Sequence, residues 1–144
     1  MYCLPAGPIG FYLYLMGLCM SFPQSNLLWF RAALVSALLC ILFLATIQLQ
    51  VPGVDRLNDK INHIMAFYAL AMLEDFSFPR TEFGASKVLT LMAYGLLIEV
   101  IQYFLPLRSF SLYDLGADAV GVLLYALSIP GLKQVPILRR RWGT

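Results

Sequence analysis

Long apolar stretches separated by short polar segments dominate the pattern of this chain. Each stretch is close to the roughly 20 residues that a helix needs to cross a bilayer, and each is followed by a proline that favours a turn. The pattern therefore predicts an all-α fold, an integral membrane bundle of four transmembrane helices. The four predicted spans are about 29–49, 61–78, 88–105 and 112–129.

The sequence leaves the role of residues 1–28 open. Their apolar stretch, 7–22, is short for a span, and no Lys or Arg precedes Arg31, so the basic region of a signal peptide is lacking. An extra membrane helix, an interfacial helix and a stretch upstream of the true translation start are equally compatible. The predicted organisation is a hydrophobic extension at 1–28, a membrane domain at 29–131 and a basic cytoplasmic tail at 132–144.

Composition agrees with a membrane protein. Hydrophobic residues make up 60% of the chain and charged residues 12%, whereas soluble domains average about 45–50% and about 25%. A net charge of +2 is too small to indicate a nucleic-acid partner. The single histidine and the three cysteines, which lie at no ligand spacing, predict no metal site, no cofactor and no disulfide scaffold.

The basic residues predict an orientation. Seven of the ten fall on the side that would hold both ends of the four-span bundle, and three fall on the other side. Cytoplasmic segments carry the excess of Lys and Arg, so the C-terminus is expected in the cytoplasm. On that side, Glu74 and Asp75 are expected to be solvated, and Arg139, Arg140 and Arg141 to meet anionic lipid headgroups.

Polar residues inside the apolar stretches are the candidate site. A charged residue at the bilayer centre costs roughly 2.5 to 3.5 kcal/mol on insertion scales, so each needs a reason. Their spacings of three or four place partners on one helix face, and all converge at one depth toward the outer leaflet. The binding or polar-cluster candidates are Asp59, Lys60, His63, Glu99, Gln102, Arg108, Asp114 and Asp118.

Structural and functional roles compete at these positions. His63 is either a histidine held by Asp59 one turn earlier or a proton donor and acceptor near neutral pH. A single membrane hydrogen bond is too weak to bury a charged Glu99, which is therefore expected to be protonated, paired with a cation or facing a wet cavity. The favoured picture is an ion-paired cluster with His63, Lys60 and Arg108 as the cations.

The fourth predicted span raises a similar question. Asp114 suits the first turn of a helix, where the dipole favours an acid. Asp118 lies one turn deeper and is not explained this way. Because the two carboxylates repel at this spacing, one holds a proton or both face a cation. Gly116 and Gly121 are expected to be close-packing positions between helices.

One ordered set of these residues resembles the VanZ-like family of small bacterial membrane proteins, over roughly residues 30–130. The set is Asp59-Lys60-x-x-His63, Glu99-x-x-Gln102, Arg108 and Asp114-x-x-x-Asp118-x-x-Gly121. The family usually has Asn where this chain has Asp118. The resemblance implies a four-helix domain in the bacterial cytoplasmic membrane and an envelope role related to glycopeptide (teicoplanin) resistance, for which the family is named. It implies no reaction.

Three functional hypotheses follow. The favoured one is a non-enzymatic protein that binds a membrane lipid or a lipid-linked envelope precursor. The second is an enzyme acting on a lipid headgroup, with His63 or Glu99 as general base and Arg108 or Lys60 holding a phosphate. Ser109 and Ser111 are nucleophile candidates only by position. The third is a proton-coupled transporter, which would need a homo-oligomer to line a pathway. Catalysis is left open by the sequence.

Overall fold

A computed structural model describes residues 24–46, 56–105, 111–135, 138, 141 and 142. Within these ranges the chain is all-α, as predicted, and contains no strand. The helices are α1 (Gln24–Thr46), α2 (Arg56–Ser77), α3 (Ala85–Tyr103) and α4 (Leu112–Leu132). Helices α1, α3 and α4 are long and apolar enough to cross a membrane. Helix α2 carries charged residues at both ends and is less apolar.

Two helices begin earlier than the apolar pattern indicated. Helix α1 begins at Gln24, so the predicted boundary between 28 and 29 falls inside it, and the predicted extra N-terminal helix lies outside the described residues. Helix α2 begins at Arg56, which brings Asp59 into its first turn instead of a loop. The predicted span begins at 61 because hydropathy detects apolar residues, and the start of α2 is helical but polar.

The last helix continues farther than predicted. Pro130 was expected to close α4, but the helix runs through it to Leu132 and ends at Lys133. Pro130 has no N–H to donate to the Ala126 carbonyl, and the helix continues for only two residues beyond it.

The bundle is organised around α2, which packs against the three other helices and most extensively against α4. Helices α1 and α3 run parallel to each other. Tyr94 OH donates a hydrogen bond to Leu38 O at 2.6 Å, and farther along both helices Gln102 Nε2 donates to Ala45 O at 3.1 Å. The core between the helices comprises Leu34, Phe67, Leu70, Ala71, Leu91, Val122 and Tyr125.

Helices α2 and α4 meet at Gly121, where a Cβ atom would collide with the carbonyl oxygen of Ile64 and lie 3.1 Å from Phe67 Cβ. A glycine permits this close backbone approach, as small residues do between membrane helices. Gly116 differs from its expected packing role. It is exposed, and a Cβ there would meet no heavy atom within 4 Å.

The outer surface of α1 is strongly apolar. Among the residues of α1 whose burial is described, only Leu34 is buried, and Trp29, Leu39 and Phe43 are each more than half exposed. Exposure of such a surface to water is unfavourable, whereas lipid tails solvate it. The exposed face therefore agrees with a helix that lies in a bilayer.

A buried polar network lies at the end of the bundle opposite to the predicted cluster. Asp75 is fully buried, and its Oδ1 accepts hydrogen bonds from Lys87 Nζ and Arg141 Nη2, each at 2.7 Å. Its Oδ2 accepts from Tyr125 OH at 2.9 Å. These four residues are called the Asp75 network below. The expectation that Asp75 and Glu74 are solvated is wrong, since both are buried.

Arg141 also ties the segment after α4 to the connection between α2 and α3. Its guanidinium donates to the carbonyl oxygens of Asp75 at 2.7 Å, Pro79 at 3.0 Å and Thr81 at 2.9 Å. Arginine suits this role because its planar fork carries five donors. The predicted function of Arg141 as a lipid-binding residue is therefore corrected: its side chain is 6% exposed and holds the fold together.

Candidate functional site

The centre of the site is a pair between α2 and α4. His63 Nδ1 and Asp118 Oδ1 lie 2.8 Å apart, with Asp118 only 1% exposed. The sequence offered Asp59 as the partner of His63, but the structure gives Nδ1 to Asp118. The contact with His63 explains why Asp118 can be buried, which the helix dipole does not explain. It also leaves Nε2 of the imidazole available to a second partner.

A second pair joins the starts of the same two helices. Lys60 Nζ lies 3.1 Å from Asp114 Oδ1, and the ammonium is also 5.2 Å from the ring centre of the exposed Tyr113. The Lys60 side chain is 40% exposed, so this pair contributes little to stability. Asp114 lies in the first turn of α4, and its backbone N–H donates to the Ser111 hydroxyl at 3.3 Å.

Glu99 approaches these pairs from α3. Its side chain is 1% exposed, and Oε2 accepts a hydrogen bond from the backbone N–H of Ser111 at 2.8 Å. Its other oxygen, Oε1, has no hydrogen-bond partner in the described part of the chain. The carboxylate is within electrostatic range of His63, Asp114 and Asp118. Glu99 thus brings a third helix to the cluster and leaves one buried acceptor unsatisfied.

A cavity of about 480 Å³ opens beside the cluster, between α1, α2 and α3. One part of its wall is polar, formed by Asp59, Asn62, His63 and Gln102. The remainder is apolar and comes from all three helices. The apolar lining residues are Ile41, Leu44, Ala45, Ala66, Phe67 and Ile98.

Three potential metal ligands also come together here. Asp59 and His63 lie one turn apart on α2, and Asp114 reaches them from α4. One ligand atom of each lies within 4.8 Å of the other two. No metal site was expected from the sequence because metal-ligand motifs are recognised by ligands that lie close together along the chain. The residues that meet here belong to two separate helices.

The structure therefore brings together Asp59, Lys60, His63, Asp114 and Asp118 at the starts of α2 and α4. Two further predicted residues approach from α3: Glu99 at the cluster, and Gln102 in the cavity wall. The remaining candidate, Arg108, lies outside the described residues. The expected ion pairing holds for Lys60 with Asp114, and His63 forms a hydrogen bond with Asp118.

Gly95 is a site residue that the sequence reasoning missed. A Cβ at this position of α3 would lie 2.6 Å from Asp118 Oδ2 and 3.1 Å from Phe67 Cζ. The glycine therefore makes room for the buried carboxylate between α3 and α4. Its spacing of four from Glu99 was the available signal, because residues four apart share one helix face.

No protein-family model, curated protein or solved structure matches this chain. The function of the site is therefore argued from its own geometry and chemistry.

Proposed function

We propose that this protein is a VanZ-like, four-span protein of the bacterial cytoplasmic membrane that binds an amphiphilic envelope component, a membrane lipid or a lipid-linked precursor. The observation that carries the proposal is the cavity between α1, α2 and α3, whose wall is polar on one part and apolar on the rest. A headgroup fits the polar wall, and a hydrocarbon chain fits the apolar one.

The size and position of the cavity support an amphiphilic ligand. Its volume of about 480 Å³ lies in the range of small-molecule sites, roughly 300 to 1,000 Å³. The polar wall adjoins His63, whose ring is held by Asp118, so a headgroup would meet a fixed imidazole. Because α1 presents an exposed apolar outer face, a lipid could enter the cavity sideways from the bilayer.

Four membrane crossings follow if α2 also spans. Its centre is apolar, and it is surrounded by the other helices, so its polar ends need not face lipid. Exposed Arg80 and Lys133 then lie on the same side as the segment after α4, which supports a cytoplasmic C-terminus. The polar cluster would lie on the opposite, outer side of the membrane.

The contacts support binding over catalysis. Ser111, a nucleophile candidate by position, caps α4 by accepting the Asp114 N–H, and its own N–H is donated to Glu99. These bonds hold Ser111 in a structural role.

Native mass spectrometry of the full chain from mild detergent tests the proposal. The wild type is expected to retain a lipid or lipid-linked molecule. Ala66→Phe places a ring in the cavity wall and is expected to abolish retention. Ala119→Phe makes the same change on the exposed face of α4 and serves as the matched control.

Asp118→Asn tests the polar end of the same site. This change removes the charge that orients His63 while preserving the size of the side chain, and it is expected to weaken retention. A wild type that retains no amphiphile, or equal retention by Ala66→Phe and Ala119→Phe, would overturn the proposal.

A further inference from the structure

We infer that Asp59, His63 and Asp114 hold a divalent transition-metal ion of the Zn²⁺ class at the polar edge of the cavity. The ligand atoms of these three half-buried side chains lie within 4.8 Å of one another. Around a zinc ion with bonds of about 2.0 Å, tetrahedral ligand atoms are about 3.3 Å apart. Side-chain movements of about 1 Å would therefore close the site.

The histidine is already arranged as a metal ligand. Asp118 Oδ1 lies 2.8 Å from His63 Nδ1, so a proton on Nδ1 leaves Nε2 with its lone pair as the coordinating atom. Metal-bound histidines usually donate their other ring N–H to a carboxylate in this way, which fixes the ring and increases its basicity. Asp118, at 1% exposure, would be the positioning residue of this site.

Glu99 is the independent observation that the cluster is built for a cation. Its buried Oε1 has no hydrogen-bond partner in the described residues, and its side chain reaches the start of α4, where Asp114 lies. A buried carboxylate oxygen without a partner is costly. A nearby divalent charge would offset that cost, as it would offset the repulsion between Asp114 and Asp118.

The charges and ligand types decide the kind of ion. Among the described side chains, four carboxylates lie around the site, from Asp59, Glu99, Asp114 and Asp118, together with the ammonium of Lys60. An imidazole nitrogen suits Zn²⁺ better than Mg²⁺ or Ca²⁺, which take oxygen ligands. Three protein ligands leave a further coordination position open, and since Asp59 and His63 line the cavity, that position faces it.

Lys60 acts as a competitor in this arrangement. Its ammonium lies 3.1 Å from Asp114 Oδ1, so the ion must displace it or use the second oxygen of Asp114. Removing Lys60 is therefore expected to increase metal affinity, whereas removing any ligand is expected to decrease it. If the cluster were only a structural ion pair, removing Lys60 and removing a ligand would not have opposite effects on Zn²⁺ affinity.

The test is Zn²⁺ titration of the full chain, purified without a histidine tag and monitored by calorimetry, with Mg²⁺ as the comparison ion. We expect saturable Zn²⁺ binding that about tenfold excess Mg²⁺ does not displace. Asp59→Asn is expected to weaken binding by about tenfold or more, and Asp118→Asn by about 10- to 100-fold. Lys60→Gln is expected to strengthen it about threefold. Glu82→Gln, on an exposed loop, is the control and should change nothing.

The wild-type protein also allows a test of metal binding without any variant, because His63 is the only histidine of the chain. Zn²⁺ is expected to protect His63 from acylation by diethyl pyrocarbonate, and Mg²⁺ is not. Absence of saturable Zn²⁺ binding, equal binding by Asp59→Asn and Glu82→Gln, or acylation unaffected by Zn²⁺ would each overturn the inference. None of these readouts requires a bound lipid, so they are separate from the test of the proposed function.

Discussion

His63 on α2 and Asp118 on α4 are joined at 2.8 Å across a separation of 55 residues. The bond links the two helices that pack most extensively, and it does so beside the cavity. The pair therefore has both a structural and a chemical role. The two roles can be measured separately.

A double-mutant cycle measures how much the contact between His63 and Asp118 stabilises the protein. His63→Ala, Asp118→Ala and the double variant are unfolded by sodium dodecyl sulfate in mixed micelles. The coupling free energy is expected to be about 0.5–2 kcal/mol, because hydrogen bonds between membrane helices are individually weak. Coupling near zero would contradict a direct bond between the side chains.

Replacing Gly121 or Gly116 of α4 by alanine is expected to change stability in opposite ways. Gly121→Ala forces a methyl group against the Ile64 carbonyl and is expected to destabilise the protein by about 1–3 kcal/mol. Gly116→Ala meets open space and gains helix propensity, so stability is expected to be unchanged or up to about 1 kcal/mol higher. Thermal unfolding in detergent measures both. Equal effects would mean that Gly121 is not the contact between α2 and α4.

Gly95→Ala tests the space around the Asp118 carboxylate. The new methyl group would lie 2.6 Å from Oδ2, so the carboxylate must shift and its bond to His63 is expected to lengthen. Selective ¹⁵N labelling of the single histidine gives the readout, a change in its ring nitrogen shifts. Gly84→Ala, with nothing within 4 Å, is the control and should leave the ring signals unchanged.

Arg141→Ala is expected to destabilise the protein by about 3 kcal/mol, because it breaks a buried charged network. It leaves Asp75 with Lys87 as its one cationic partner in the described residues, and it removes a donor to the carbonyls of Asp75, Pro79 and Thr81. The Thr81 carbonyl keeps its hydrogen bond from Lys87. Lys133→Ala, an exposed cation just after α4, is the control, with an expected effect within about 0.5 kcal/mol. Similar unfolding curves for the two variants would argue against the Asp75 network as an anchor.

The sequence could predict the helices and the end of the bundle where polar residues gather, because both depend on local patterns. Apolar length determines a span, and spacings of three or four determine a shared face. Those rules placed Asp59 beside His63 and Asp114 beside Asp118 along their own helices. They did not determine which helix faces which, and so the bond between His63 and Asp118 could not be derived.

Local spacing also could not show that the acids at the opposite end of the bundle are buried. Glu74 and Asp75 look solvated in the sequence because acids at helix ends usually are. Asp75 is buried together with Arg141, which lies 66 residues later in the chain and reaches it only through the fold of the whole bundle. No local spacing reports such a partner. The room that Gly95 makes for Asp118 is likewise a property of three packed helices.

The Asp75 network also has a consequence for synthesis in the membrane. Lys87 follows Asp75 closely and can neutralise it as soon as α3 has formed, but the guanidinium that completes the network belongs to residue 141. Lys87 also donates to the carbonyls of Phe78 and Thr81, whereas the Pro79 carbonyl accepts from Arg141. All four helices must therefore leave the ribosome before Pro79 gains this donor, and until then Lys87 ties the α2–α3 connection to Asp75.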